Sequence, residues 1–304
     1  MRFALCSLGT VALLAAAVAL APPGAPALPL PGAPGCPVFP PDNPWNQRID
    51  GLPVAKRSNA LIHHMGPNRP LYADFSMPYA SVGAKQRKVP VRFFYESDRG
   101  PYPIPPNAPV ERGTPDRHVL IVDRDRCKLY ELYKARKVKG GRRWKAGSGA
   151  IFDLRSNRLR PYGETSADAA GLPILPGLAR YDEVKRGVID HAIRVTGEQV
   201  RNTFVFPARH SDGRSRSRDA PPMGTRIRLK ASFDIGRFPP QAQVILRALQ
   251  QYGMMLADSG APWFISGTPS GSWDSGQLGT LDRVHGRDFE IVDTSSLPKP
   301  GLRK

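Results

Sequence analysis

Two carboxylates and a histidine stand where catalysis could use them: Asp153 closing GSGAIFD, Asp168 within TSADAAGLP, and His191 within GVIDHAIRVT. Cleaving a glycosidic bond takes one carboxylic acid to protonate the leaving oxygen and a second carboxylate as nucleophile or base. Asp153 follows the apolar run Ala150-Ile151-Phe152, so enclosure would raise its pKa toward that of a proton donor. Asp168 is flanked by small residues that leave room for a ligand, although a short turn capped after Ser166 is the simpler reading of it. A free imidazole changes charge near neutral pH, so His191 is expected to transfer or orient a proton. If residues 187–196 form a strand, alternation puts His191 with Ile189, Ile193 and Val195, and Asp190 and Arg194 on the opposite face. A hydrogen-bonded core histidine is the competing interpretation. Ser166, His191 and Asp168 or Asp190 would supply the residue types of a nucleophilic triad, but no spacing favours it. Glu131 and Glu164 complete the carboxylates beside the expected β core, and an internal ion pair to arginine is the simpler role for Glu131 and Asp153.

Substrate contacts would come from basic and aromatic side chains. In RIRLK, Arg226, Arg228 and Lys230 share one strand face, opposite Ile227 and Leu229. Such a row either faces water or pairs with successive anionic groups, since arginine grips carboxylate and phosphate through a fork. Arg155 and Arg160 could extend it, and Trp263 could stack on a sugar ring. Zinc-protease, phosphate-loop, dinucleotide-binding and GxSxG patterns are all missing, so no metal and no cofactor is expected.

These residues depend on a framework that reads as β-rich. HVLIVD (118–123) and CKLYELYKARKV (127–138) look like adjacent strands across a short polar turn. In the second, Cys127, Leu129, Glu131 and Tyr133 share a face, which would turn Glu131 inward. Residues 144–154 continue the β pattern, with glycines that suggest a bulge or a close backbone approach. TFVFPA, RIRLKA, WFISG and DFEIVD are further strands, and the arginine-rich stretch 209–224 reads as a surface loop. Apolar spacing predicts one long helix over 239–260, ended by Gly260. The expected fold class is α+β: a single sheet-based domain with long irregular loops and one long helix in its C-terminal half.

The N-terminal 27 residues have the layout of a secretory signal peptide, with Arg2, an apolar run and a small-residue site at Ala25-Pro26-Ala27. Residues 28–44 read as a Pro/Ala-rich leader, and 45–304 as one globular domain. No second apolar run of that length follows, so a soluble protein, exported to a periplasm or beyond the cell, is expected. Removing the signal leaves Cys36 and Cys127, which an oxidising compartment would join. It also removes one charge, Arg2, from a net +18, leaving +17 to attract a polysaccharide or other anionic polymer. Nucleic acid is a less favoured partner, and no stable membrane insertion is expected after cleavage.

The segments ESDRGPYPIPPNAP, DRHVLIVDRDRCKLYELY, GSGAIFDLRSN, TSADAAGLPILPGL, GVIDHAIRVT and RALQQYGMMLADSG resemble a family of secreted bacterial proteins of unassigned activity. The resemblance implies an exported single-domain protein that handles cell-surface or environmental glycans, and it carries over no catalytic residue. The expected function is therefore a secreted, carbohydrate-active protein, a hydrolase or lyase acting on an acidic polysaccharide. Asp153, Asp168 and His191 would do the chemistry, and Arg155, Arg228, Lys230 and Trp263 would bind substrate. A non-catalytic envelope or polysaccharide binder is the first alternative, and a secreted nuclease the second.

Overall fold

The computed structural model describes residues 27–302, so the expected signal segment lies outside the described residues except for Ala27. Among them are four α-helices: α1 (Ser58–His64), α2 (Tyr181–Arg186), α3 (Pro240–Gln251) and α4 (Ser275–Gly279). The first strands are β1 (Tyr72–Asp74), β2 (Tyr79–Val82), β3 (Val91–Phe93), β4 (Val119–Asp123), β5 (Lys128–Leu132) and β6 (Arg136–Val138). They are followed by β7 (Arg143–Ala146), β8 (Gly149–Asp153), β9 (Ile193–Gly197) and β10 (Arg226–Leu229). The last are β11 (Met254–Ser259), β12 (Phe264–Ser266) and β13 (Phe289–Ile291). The strands form three sheets in the orders β1-β12-β9-β11-β10-β13, β2-β4-β5-β8 and β3-β7-β6. The result is the expected α+β class.

The middle sheet explains why HVLIVD is apolar throughout. Leu120 and Val122 point into one core with Leu129 and Phe152, while Val119 and Ile121 point into another with Tyr102 and Trp144. A strand buried on both faces has no polar alternation to show. The chain from 127 to 138 divides: β5 stays in this sheet, and β6 joins the small third sheet against β7. The stretch 144–154 likewise divides at Gly147, between β7 and β8, and a Cβ on Gly149 would lie 2.6 Å from the Phe93 ring. Those glycines serve close approach.

Two boundaries differ from expectation. Ala27, Leu30, Ala33, Val38 and Phe39 are buried in the core around the Cys36–Cys127 disulfide, whose Cα atoms lie 5.3 Å apart. Buried Arg180 also donates to the Leu28 carbonyl at 2.8 Å. The proline-rich segment 28–44 is thus packed domain rather than extended leader, because its few apolar residues find a sheet face that composition does not reveal.

The long helix is also shorter than expected. Helix α3 buries Ala242, Ile245, Leu246, Ala248 and Leu249, then stops at Gln251. Gly253 adopts φ +66°, and a Cβ there would sit 2.3 Å from the Ile227 carbonyl oxygen. Only glycine fits that turn. The apolar run Met254-Met255-Leu256-Ala257 then becomes a buried strand, β11, inside the six-stranded sheet. A short apolar run has no period that separates a buried strand from a continuing helix. This matters for function because Asp258 lies at the C-terminal end of β11, next to its last residue Ser259.

Candidate functional site

Arg194, on β9, anchors the site. Its guanidinium is buried and donates through Nε and Nη2 to the two carboxylate oxygens of Asp168, at 2.9 and 2.8 Å. Nη1 donates to Ser266 Oγ on β12 at 2.9 Å, and Nη2 also donates to Asp258 Oδ2 on β11 at 2.6 Å. Neighbouring strands of one sheet therefore converge on one loop. The loop's shape comes from Ser166, whose Oγ accepts the Asp168 N–H at 2.9 Å, a local turn typical of serine.

Charge counting sets the protonation. One guanidinium faces two carboxylates, and ionising both leaves an uncompensated negative charge in a poorly solvated place. Asp168 holds both prongs of the fork and is fully buried, whereas the Asp258 side chain is 20% exposed. Burial raises the Asp258 pKa against the opposing pull of Arg194, and the negative charges of Asp168 and Asp212 raise it further. The Arg194 pKa goes up despite the cost of burial, because Asp168 and Asp258 favour its charged form. Asp258 is the member that takes the proton.

A second buried pair supports the same loop. His118 Nδ1 donates to Glu111 Oε2 at 2.7 Å, and Nε2 lies 3.2 Å from the Ala167 carbonyl oxygen. Burial works against a charged His118, but the hydrogen bond and charge of Glu111 outweigh it and raise the pKa. A ring that donates from both nitrogens is an imidazolium, which fixes the carbonyl directly before Asp168.

Asp168, Asp258 and the 165–169 loop border a cavity of about 520 Å³, also lined by Tyr95, Glu96, Asp116, Tyr133, Ser148, His210, Asp212, Arg214 and Ser259. Ser259 Oγ donates to Asp212 Oδ1 at 2.6 Å. His210 Nδ1 lies 2.7 Å from the Ala169 carbonyl oxygen, so Nε2 is the nitrogen left for a ligand. Hence a raised-pKa acid, a second carboxylate on a loop, a histidine and two tyrosines share one opening. Among the described residues, no cluster of three or more His, Cys, Asp or Glu side chains could hold a metal ion.

Of the catalytic and substrate-binding residues expected from the sequence, Asp168 alone lines this cavity, and it does so as the anchor of Arg194; Ser166 and Tyr133 line it too. Asp153 sits apart and receives Lys128 Nζ at 2.7 Å. Burial pushes the Asp153 carboxyl up, but the hydrogen bonds from Lys128 and the Arg155 N–H, with the positive charges of both side chains, together outweigh it and hold the pKa below the usual range. His191 precedes β9 and is fully buried, with Nε2 3.0 Å from Glu183 on α2 and Nδ1 2.8 Å from the Ala192 carbonyl oxygen. It is a satisfied core histidine.

The basic row is covered by the chain itself. Arg228 donates to Glu290 and to the carbonyls of Ile49, Asp50 and Leu52, and Arg226 to those of Pro44, Gln47 and Tyr252. Lys230 donates to the Arg287 carbonyl, Arg160 pairs with Asp98 and Glu164, and Arg155 is exposed outside the cavity. Trp263 is fully buried, stacked on Phe289 at 5.1 Å with Nε1 donating to Gly66, and offers no face to a sugar.

No known family, characterised protein or solved structure matches this chain. In the sequence Asp258 falls inside the helix expected over 239–260, which gives no sign of the cavity it borders. Asp212 and His210 lay in a loop whose arginines suggested only surface. The available signals were Gly253, which interrupts the helix, and one acid and one histidine close together among five arginines in 201–218.

Proposed function

We propose that the chain is an exported glycan hydrolase acting in the Asp258 cavity. The observation that carries this reading is the guanidinium shared by two carboxylates, with the more accessible carboxyl opening into the cavity. Such an arrangement keeps an acid protonated near neutral pH, which general acid catalysis requires. Asp258 gives its proton to the leaving glycosidic oxygen. Water adds to the anomeric carbon and loses a proton to Asp212, which returns it to solvent as Asp258 is reprotonated. Tyr95 and Tyr133 supply apolar walls for a sugar ring. Because Glu96, Asp116 and Asp212 border the same space, the sugar held at the scissile bond is uncharged or carries an amine.

The test is purified protein, with Asp258→Asn and Asp212→Asn, incubated with acidic, neutral and amino-sugar polysaccharides while reducing ends and unsaturated products are followed. New reducing ends that disappear in both variants support the hydrolase. Unsaturated products would mean a lyase, and polymer retention without cleavage by the wild type would mean a binder.

A further inference from the structure

Between Glu131 and Asp153 the sequence holds seven basic residues and no acidic one. Most of that stretch forms β6 and β7 of the three-stranded sheet. The register sets Arg92 on β3 opposite Lys145 on β7, and Lys145 opposite Arg136 on β6. Residues directly opposite one another share a face, and Arg143 lies on that face two residues back along β7. Arg92, Arg136, Arg143 and Lys145 are all exposed, and among the described residues none forms an ion pair. Trp144 and Ala146, which alternate with them, are buried in the core beneath. The cations therefore ride on an anchored surface, with adjacent strands about 4.8 Å apart. Like charges directly opposite each other weaken a sheet, and this one accepts them with no acidic neighbour on the three strands to relieve them.

The same sheet leads into the cavity. Strand β3 continues to Tyr95 and Glu96, β7 continues to Ser148, and β6 is preceded by Tyr133, all of which line the cavity. Hydrogen bonds tie these ends together: Phe94 and Tyr95 N–H donate to the Gly147 carbonyl at 3.1 and 2.9 Å, and Gly147 N–H donates to Tyr133 at 2.7 Å. A basic face thus adjoins an acidic cavity.

We infer that this face docks an acidic heteropolysaccharide in which uronate residues are interspersed with uncharged or amino sugars. The uronate carboxylates lie on Arg92, Arg136, Arg143 and Lys145, while an uncharged or amine-bearing residue enters the cavity. The choice of a glycan as occupant rests on the hydrolase reading. A nucleic acid strand, charged at every unit, would carry phosphate against Glu96, Asp116 and Asp212.

The experiment measures binding of a uronate–N-acetylhexosamine copolymer to the wild type, to the quadruple variant R92Q/R136Q/R143Q/K145Q, and to Asp258→Asn. The carboxyl-reduced copolymer, single-stranded DNA and vesicles containing anionic phosphatidylglycerol serve as comparison arms. Wild type and Asp258→Asn should bind the copolymer in a salt-sensitive manner. The quadruple variant, and the wild type with the reduced copolymer, should bind about tenfold more weakly, equivalent to ~1.4 kcal/mol. All four substitutions are on exposed side chains, and a circular dichroism melt matching the wild type shows that the fold is kept. Equal binding by the quadruple variant overturns the inference, as does DNA or vesicle binding that equals or exceeds copolymer binding. Copolymer binding without cleavage of any glycan would leave the docking face standing and remove the hydrolase. Cleavage of neutral glycans with no contribution from the sheet would do the reverse.

Discussion

Replacing Asp168 with Asn tests the electrostatics of the site without relying on turnover. In the wild type, Asp168 Oδ1 and Asp258 Oδ2 accept from the same Arg194 nitrogen at 2.8 and 2.6 Å, so the two carboxylates lie roughly 5 Å apart. At an effective dielectric constant of about 20, two unit charges at that spacing repel by about 3 kcal/mol, or roughly 2 pKa units. Neutralising Asp168 removes that repulsion and leaves Arg194 to Asp258 alone. Both changes favour the ionised form, so the Asp258 pKa should fall by about 2 units. Carboxyl-carbon NMR of protein labelled at aspartate reads this directly, with Asp258→Asn assigning the resonance. Arg194 keeps Asp258 and Ser266 as partners, so the folded state should survive at reduced stability. An Asp258 pKa that stays put or rises in Asp168→Asn would refute the charge-sharing argument.

Other residues make separate demands. Burial raises the Glu131 pKa to about 7 from an ordinary 4.5, although the N–H groups of Ile174 and Leu175 donate to its carboxylate. The native state thus holds a proton that the unfolded chain releases. Stability should fall by about 3 kcal/mol between pH 4.5 and 7 relative to Glu131→Gln, as read by urea unfolding across that range. For His191→Gln we expect a loss of about 1–3 kcal/mol in stability with the cleavage rate per folded molecule unchanged. A rate drop of about a hundredfold would return His191 to the chemistry. Reducing Cys36–Cys127, which spans 91 positions, should cost about 2–5 kcal/mol, seen as a lower urea midpoint with reductant. Gly253→Ala should lower the melting temperature, because alanine must take up both the left-handed turn and the contact with Ile227.

Local periodicity made some of this legible. HVLIVD is a strand, Glu131 does face inward beside Cys127, and Cys36 and Cys127 are joined. Each of those depends on neighbours close in sequence, or on a pairing with only one solution. What covers a given face is a different matter. Arg226 and Arg228 alternate correctly on β10, yet residues 44–52 lie across them and take up their donors. Nothing within RIRLK records that distant segment. His191 is similar, since its partner Glu183 comes from a short helix before it, not from the strand after it. Asp258 shows the sharper failure: one glycine changes helix to strand and moves a carboxyl from an expected helix surface to the rim of the cavity.

Asp258 as proton donor is the central claim, and leaving-group dependence tests it most directly. Wild type and Asp258→Asn should be compared on an ordinary oligosaccharide, and on an aryl glycoside of the same sugar whose nitrophenolate departs without protonation. The account predicts that the variant loses about 10²–10⁴ in rate on the oligosaccharide and much less on the aryl glycoside. An equal loss on both substrates, or no loss on either, would contradict it.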